Sequence, residues 1–415
     1  MSRVAVFVPE LYQGGTLRAA KDVAKMISLG ASRIGADTDV VFGYRPGVIT
    51  PAIDLKDLWE AGIATREIGF RLVKAEHARV MTRLEGVDRP LTNDTYCLIS
   101  DGANDFLDCD LWLLISDRLQ VPLLPLRPFG IFVFDCIQRY VPEIWGDEGW
   151  VLQSTAFIPL LRNADFILAT TPSTLNDLNS FVGVPRARLR RIPMFFEKLA
   201  LHPDDVPSPS PRDYFVWTSN STPHKNHERV LEALARYYDH LGGRLKAVMV
   251  GQCTEDFDPR RKYPFQRSDP VYAEKIRRLI AQRPSLKENL DIRGYPPDEA
   301  YLSIIRNARF LLHANLYDNG SFSVIDAAYL GAPSLSSRYP AMEFMNESFD
   351  LNLTFFDPFD VVDIAAKLKE MEARGDKVRL PDPARLDEAS WRNVAPDFYQ
   401  AIQPYLRRRP SGVRG

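Results

Sequence analysis

FLLHANLYDNGSFSVIDAAYLGAP, residues 310–333, decides how this chain folds. FLLHAN (310–315) is a short apolar run of the kind found in a strand buried on both faces, and a helix is expected from about Ser323. Strand, loop and helix in that order form the repeating piece of a doubly wound sheet, whose ligands bind at the carboxyl ends of the strands. The loop carries Asp318, Asp326 falls on the first turns of the helix, and Gly320, Ser321 and Phe322 supply backbone amides at the helix start. Such amides suit phosphate or sugar oxygens, and carboxylates accept hydrogen bonds from vicinal hydroxyls. Taken alone, the D-x(7)-D spacing fits a sugar site or a loop and helix start bearing two ordinary aspartates.

The same alternation runs outward in both directions. Before it come YFVWTS (214–219), a helix over 226–241, RLKAVMVG (244–251), a helix over 272–282, LDIRGY (290–295) and a helix over 297–307. Further upstream are VAVFVPE (4–10), a helix over 16–29, DVVFGY (39–44), and apolar runs at YCLIS (96–100), GIFVFD (130–135), ADFILATT (164–171) and RLRRIPM (188–194), all expected as parallel strands. HPDDVPSPSPRD (202–213) holds four prolines and no apolar run, which breaks helix and sheet and places a linker there. The expected fold class is α/β, with two doubly wound Rossmann-like domains at 1–203 and 204–388, facing across a cleft, and a terminal segment at 389–415.

A chain of 415 residues is long enough for two domains. Its 45% hydrophobic and 26% charged residues are those of a soluble globular protein, and a formal charge of -2 gives no polyanion-binding signature, so nucleic acid is not an expected partner. Cys97, Cys109, Cys136 and Cys253 form no CxxC pair, which argues against a zinc knuckle or disulfide framework and for a reducing cytoplasm. MSRVAVFVPELYQGG reads as a first strand, its apolar run being too short for a signal peptide or a spanning helix. The basic cluster at 407–409 is a solvated tail or a peripheral contact with anionic lipid headgroups.

The other strand ends carry the remaining candidates. LYQGGTLRAA follows the first strand; Gly14 and Gly15 let a phosphate or sugar approach the backbone, with Arg18 one turn in, or they simply make a tight turn. Asn220 follows YFVWTS, and Lys225 stands beside a helix amino terminus, where a cation is unfavourable unless an anion joins it. A diphosphate would be that anion; a solvated lysine is the plain alternative. His224 and His227 have no carboxylate or cysteine cluster to complete a metal site, and no metal is expected. Gly294 and Tyr295 end another strand as a base-binding edge or a turn.

Taken in order, these places resemble the retaining glycosyltransferases of family 4, which have the GT-B fold. The resemblance is carried by GGTLR (14–18), ILATTPSTLNDLNSFVGVPRARLRRIPM (167–194), TPHKNHERVLEAL (222–234), RGYPPDEAYLSIIRNARFLLHANLYDNGSFSVIDAAYLGAP (293–333) and ASWRNVAPDFYQAI (389–402), the last like a terminal helix crossing back to the first domain. It implies transfer of a hexose or deoxyhexose, mannose-like by slight preference, from a nucleotide diphosphate to a saccharide or lipid-linked acceptor in polysaccharide or lipopolysaccharide assembly. The anomeric configuration would be kept, with no metal and no cofactor beyond the donor. Lys225 would neutralise the diphosphate with Gly14, Gly15 and the amides of Gly320 to Phe322; Asp318 would hold the sugar hydroxyls, Asp326 the ribose, and Tyr295 and its neighbours the base.

Three departures mark the match. The family's E-x(7)-E is D-x(7)-D here, shorter by roughly the ~1.5 Å of one carbon–carbon bond on each side. The arginine that commonly precedes the phosphate lysine is replaced by Ser219 or Asn220, with Arg18 as a substitute. In IFVFDCIQRYVPE (131–143), Phe134 stands where the family has histidine, while Asp135 is either a cleft-facing group for donor or acceptor hydroxyls or a cap. Asp108-Cys109-Asp110 spells the D-x-D of metal-using transferases but falls at no position of the resemblance, and is read as incidental. An epimerase or hydrolase of the same fold, or a non-catalytic nucleotide-sugar-binding protein, are the alternative functions.

Overall fold

The computed structural model describes residues 1–9, 15–47, 49–116, 119, 121–142, 146–197, 212–262, 268–374 and 377–406. Gly14, residues 202–211 of the expected linker and the basic cluster at 407–409 lie outside the described residues. The chain divides into two units, one of Met1–Cys136, Asp147–Glu197 and Glu388–Gly415, the other of Ile137–Gly146 and Lys198–Asp387.

In the first unit the strands are β1 (Ser2–Val8), β2 (Thr38–Tyr44), β3 (Ala64–Glu67), β4 (Gly69–Lys74), β5 (Thr95–Ser100), β6 (Leu111–Ile115), β7 (Phe129–Phe132), β8 (Phe166–Ala169) and β9 (Leu189–Arg191). Seven of them form one parallel sheet in the order β3-β2-β1-β6-β7-β8-β9. Strand order reverses between β1 and β6. Alternate side chains of β1 serve two cores: Val4, Val6 and Val8 pack on one face, Ala5 and Phe7 on the other, where Phe7 meets Phe106 edge-on at 4.7 Å.

Two sequence expectations are corrected here. YCLIS is a strand, but β5 pairs antiparallel with β4 in a separate two-stranded sheet. Its buried apolar run reports burial of Tyr96 to Ile99 in the core and carries no information on direction. Conversely LWLLI, β6, sits next to β1 at the centre of the large sheet and was absent from the expected strands.

The first face is covered by two helices far apart in sequence, Gly15–Arg33 and Trp391–Ile402. They cross at Gly30, where an added Cβ would stand 2.2 Å from the Ala395 carbonyl oxygen; hydrogen alone fits. Arg33 donates to the Arg392 carbonyl at 2.6 Å, and the Thr38 and Tyr399 hydroxyls bond at 2.6 Å.

The second unit is built from β10 (Tyr214–Thr218), β11 (Lys246–Val250), β12 (Leu290–Gly294), β13 (Leu311–His313), β14 (Ser334–Ser337) and β15 (Thr354–Phe356), all parallel, in the order β12-β11-β10-β13-β14-β15. Phe215, Trp217, Met249, Ile292 and Leu312 anchor its core beneath the helices His227–Asp239, Pro270–Ala281 and Val361–Arg374. The order reverses between β10 and β13, so the crevice expected of such a sheet opens at the carboxyl ends of those two strands.

Candidate functional site

Both strand ends at that switch point carry charge. From β10 the chain runs through Ser219 and Asn220 into a short 3-10 turn, Pro223–Lys225, and then the helix His227–Asp239. From β13 it runs through Asn315 to Asp318 and then the helix Phe322–Tyr329. Lys225 Nζ reaches Asp318 Oδ2 at 3.0 Å, joining residues 93 apart. The same oxygen accepts from Asn315 Nδ2 at 2.7 Å, and Oδ1 accepts from the Asn319 amide at 2.8 Å. Burial alone would raise the Asp318 carboxyl, but the Lys225 ammonium and its hydrogen bond prevail and hold it below the usual carboxylate range. The anion that Lys225 needs beside a helix amino terminus is thus Asp318.

Histidines surround this pair in neutral form. His227 is fully buried, with Nε2 bonded to Ser219 Oγ at 2.8 Å and Nδ1 to the Tyr272 hydroxyl at 2.9 Å. His313 Nε2 meets the Tyr339 hydroxyl at 2.8 Å, and His224 Nδ1 meets Thr222 Oγ1 at 3.0 Å. Burial first, and then the neighbouring Lys225 ammonium, push all three down to about 3. The three rings are therefore uncharged at neutral pH. Among the described residues, no three His, Cys, Asp or Glu side chains converge as a metal site.

The helix Phe322–Tyr329 starts without a side-chain cap from Ser321. Ser321 Oγ instead bonds Ser323 Oγ at 2.8 Å, which bonds Thr218 Oγ1 at 3.0 Å, so a chain of hydroxyls ties the helix start to the end of β10. Gly320 lies at φ +123°, leading the backbone into that start. Helix starts of this kind favour phosphate or other anions. Asp326 lies one turn further in and is buried to 4% exposure. Asn220 Oδ1 accepts from the amide and hydroxyl of Thr222, which shapes the loop leading to Lys225.

Gly251, after β11, lies at φ +137°, with its missing Cβ directed 1.6 Å from the Ser219 carbonyl oxygen, so the loops after β10 and β11 touch backbone to backbone. Gly294 ends β12 at φ +71°, its carbonyl accepts from the Gly251 amide at 2.7 Å, and Tyr295 beyond it is 67% exposed.

The remaining sequence candidates belong to the first unit. Gly15 opens the helix Gly15–Arg33, and Arg18 on that helix donates to the Glu197 carbonyl at 3.2 Å. Arg18 also lines a cavity of about 470 Å³ with Asp22, Lys25, Asp57, Glu197 and Trp391. Asp135 follows β7 and is half-buried, while Phe134 packs edge-on against Phe132 at 4.9 Å, as a core residue would. Asp108 takes Arg3 and Arg66, each at 2.8 Å, and Asp110 accepts the Arg3 amide at 2.9 Å, so both acids of the D-x-D tie strands together. Sequence reasoning missed Asn315, Thr218 and the histidine–tyrosine pair at 313 and 339; LLHAN gave the strand, but its polar residues were not read as partners of Asp318.

Residues 201–389 match the family model described as Glycosyl transferases group 1. No curated protein matches the sequence. Among solved structures, a glycosyltransferase from Rickettsia africae ESF-5 superposes with a TM-score of 0.63 at 14% identity, covering 98% of this chain and 99% of that one. HepE of Anabaena, solved with UDP and glucose, gives 0.60 at 12% identity over 98% and 96%. The lipopolysaccharide outer core galactosyltransferase WaaB gives 0.58 at 13% over 97% and 99%. Two parallel Rossmann-like sheets with these likenesses make the chain an α/β protein of the GT-B fold.

Proposed function

We propose that the chain is a glycosyltransferase of family 4 type, moving a hexose or deoxyhexose from a nucleotide diphosphate donor to a saccharide or lipid-linked acceptor, with retention and without a metal. The observation that carries this reading is the Lys225–Asp318 pair at the switch point of the second sheet, next to the start of the helix Phe322–Tyr329. Cleavage of the donor bond builds negative charge on the leaving diphosphate and positive charge on the sugar ring. In this reading Lys225 exchanges its carboxylate partner for a phosphate oxygen, and the amides near Gly320 to Phe322 take another. Asp318, relieved of Lys225, accepts hydroxyls of the donor sugar, while Asp326 takes the ribose and Tyr295 the base edge. The departing phosphate takes the acceptor proton on the same face, so no protein nucleophile is required.

The family match over 201–389 and the sugar-nucleotide names of the structural relatives support this reading, and the glycan-assembly role follows the WaaB likeness. A mannose-like donor is favoured by TPHKNH (222–227). A cytoplasmic place with peripheral contact at the inner membrane face belongs to the same proposal; among the described residues no helix is long and apolar enough to cross a membrane. The test is turnover of GDP-, UDP- and dTDP-sugars with a panel of saccharide acceptors, with and without chelator, and NMR assignment of the new anomeric centre. Transfer that persists in chelator with the configuration kept is expected. An inverted product, full dependence on a divalent ion, or release of free sugar with no acceptor product refutes it.

A further inference from the structure

Glu255 stands in the short 3-10 turn Thr254–Phe257 that follows β11. Its Oε2 lies 2.9 Å from the place a Cβ of Gly294 would occupy, so the carboxylate rests across the carboxyl ends of β11 and β12, one residue from the exposed Tyr295. That oxygen is buried and has no hydrogen-bond partner among the described residues. Among the described residues, Arg260 pairs with Asp258 at 2.8 Å, Arg293 with Asp291 at 2.8 Å, and Arg277 bonds the carbonyls of Asp256 and Asp258. One carboxylate oxygen withdrawn from water without a donor, on a residue that is otherwise half-buried, is unfavourable, and a ligand bringing N–H groups relieves it.

We propose that Glu255 selects the base of the donor nucleotide by accepting the adjacent N1–H and N2–H of guanine, an inference that rests on reading the second unit as a nucleotide diphosphate-sugar site. Guanine sets two donors side by side, which matches the two oxygens of a carboxylate. Uracil and thymine set one N–H between two carbonyl oxygens, whose lone pairs oppose the carboxylate. Glycine at 294 keeps the edge open, because any side chain there presses on Glu255.

Calorimetric titration of the full chain with GDP, UDP and dTDP tests this, in the wild type and in Glu255→Gln. The wild type is expected to bind GDP about tenfold or more tighter than UDP, the range of a charge-assisted hydrogen bond. An amide accepts through its carbonyl and donates through its nitrogen, which suits the N–H and carbonyl of uracil. Glu255→Gln therefore brings the GDP-to-UDP ratio close to one while UDP affinity is kept. Glu255→Asp, which withdraws the carboxylate by one methylene, weakens GDP alone and provides a second readout if the glutamine variant folds poorly. UDP or dTDP binding as tightly as GDP in the wild type, or a ratio unchanged in both variants, overturns the proposal while leaving the transferase reading intact. Failure to bind any of the three nucleotides overturns both.

Discussion

Acidification from about pH 7.5 to about pH 5.5 should lower the stability of the protein by about 3 kcal/mol, through four groups wholly or partly withdrawn from water. His224, His227 and His313 have folded-state values near 3 against an unperturbed 6.5, because burial and the Lys225 ammonium oppose their charged form. The unfolded chain binds protons at these rings below about pH 6.5 and the folded chain does not. The stability from their neutral state is therefore fully present above that pH and is lost as pH falls towards 3. One pH unit below the unfolded value costs about 1.4 kcal/mol for each ring, about 4 kcal/mol for the three. Asp22 has the opposite sign: burial pushes its carboxyl up to about 6, so the folded state takes up a proton first and gains about 1 kcal/mol over the same interval. Carboxylates held low, Asp318 among them, change only below about pH 4 and stay out of this window. Urea unfolding of the full chain across the pH series, with constant slope checked, measures the net loss. His313→Gln, which can keep a bond to the Tyr339 hydroxyl, should remove about 1.4 kcal/mol of the pH dependence. Equal stability at both pH values, or ring signals of His224, His227 or His313 that titrate above pH 5 in the folded state, would refute the reasoning.

Three further outcomes are expected. Lys225→Ala should weaken nucleoside diphosphate binding by about ten- to a hundredfold, the range of one charged hydrogen bond, whereas Asp318→Asn should reduce turnover more than nucleotide affinity; calorimetry beside steady-state kinetics separates the two. Gly251→Ala forces a Cβ against the Ser219 carbonyl at a left-handed φ and should cost about 3 kcal/mol or more, read as a lower urea midpoint. Gly30→Leu should cost a similar ~2–4 kcal/mol and speed proteolysis around residues 388–391, because the helix Trp391–Ile402 loses its seat; an unchanged cleavage pattern counts against that packing.

The sequence made the apolar strands legible, since β1, β2, β10 and β11 are continuous hydrophobic runs buried on both faces. Ser334–Ser337 was illegible for the opposite reason: all four residues are buried, but a strand of serine and leucine, SLSS, has no apolar run to read. Strand direction was also out of reach, as YCLIS illustrates, because burial says nothing about which neighbour supplies the hydrogen bonds. For the candidate site, Lys225 and Asp318 could each be picked out as charges after a strand. Their pairing follows only from β10 and β13 being neighbours, a fact of topology that no local spacing contains. Glu255 lay further still from view, since its meaning depends on a glycine 39 positions away that has no side chain to notice.

The seat of the helix Trp391–Ile402 on Gly30 has a consequence for how the polypeptide is made. The face of Gly15–Arg33 that includes Leu17, Val23 and Ile27 stays without its cover until residues near 395 leave the ribosome. At ~5–20 residues per second that interval is roughly 20–70 s, during which an amino-terminal sheet with an open apolar flank must avoid its neighbours on the same message. Nascent chains stalled before residue 388 should therefore recruit chaperone and aggregate, and release past residue 402 should end both.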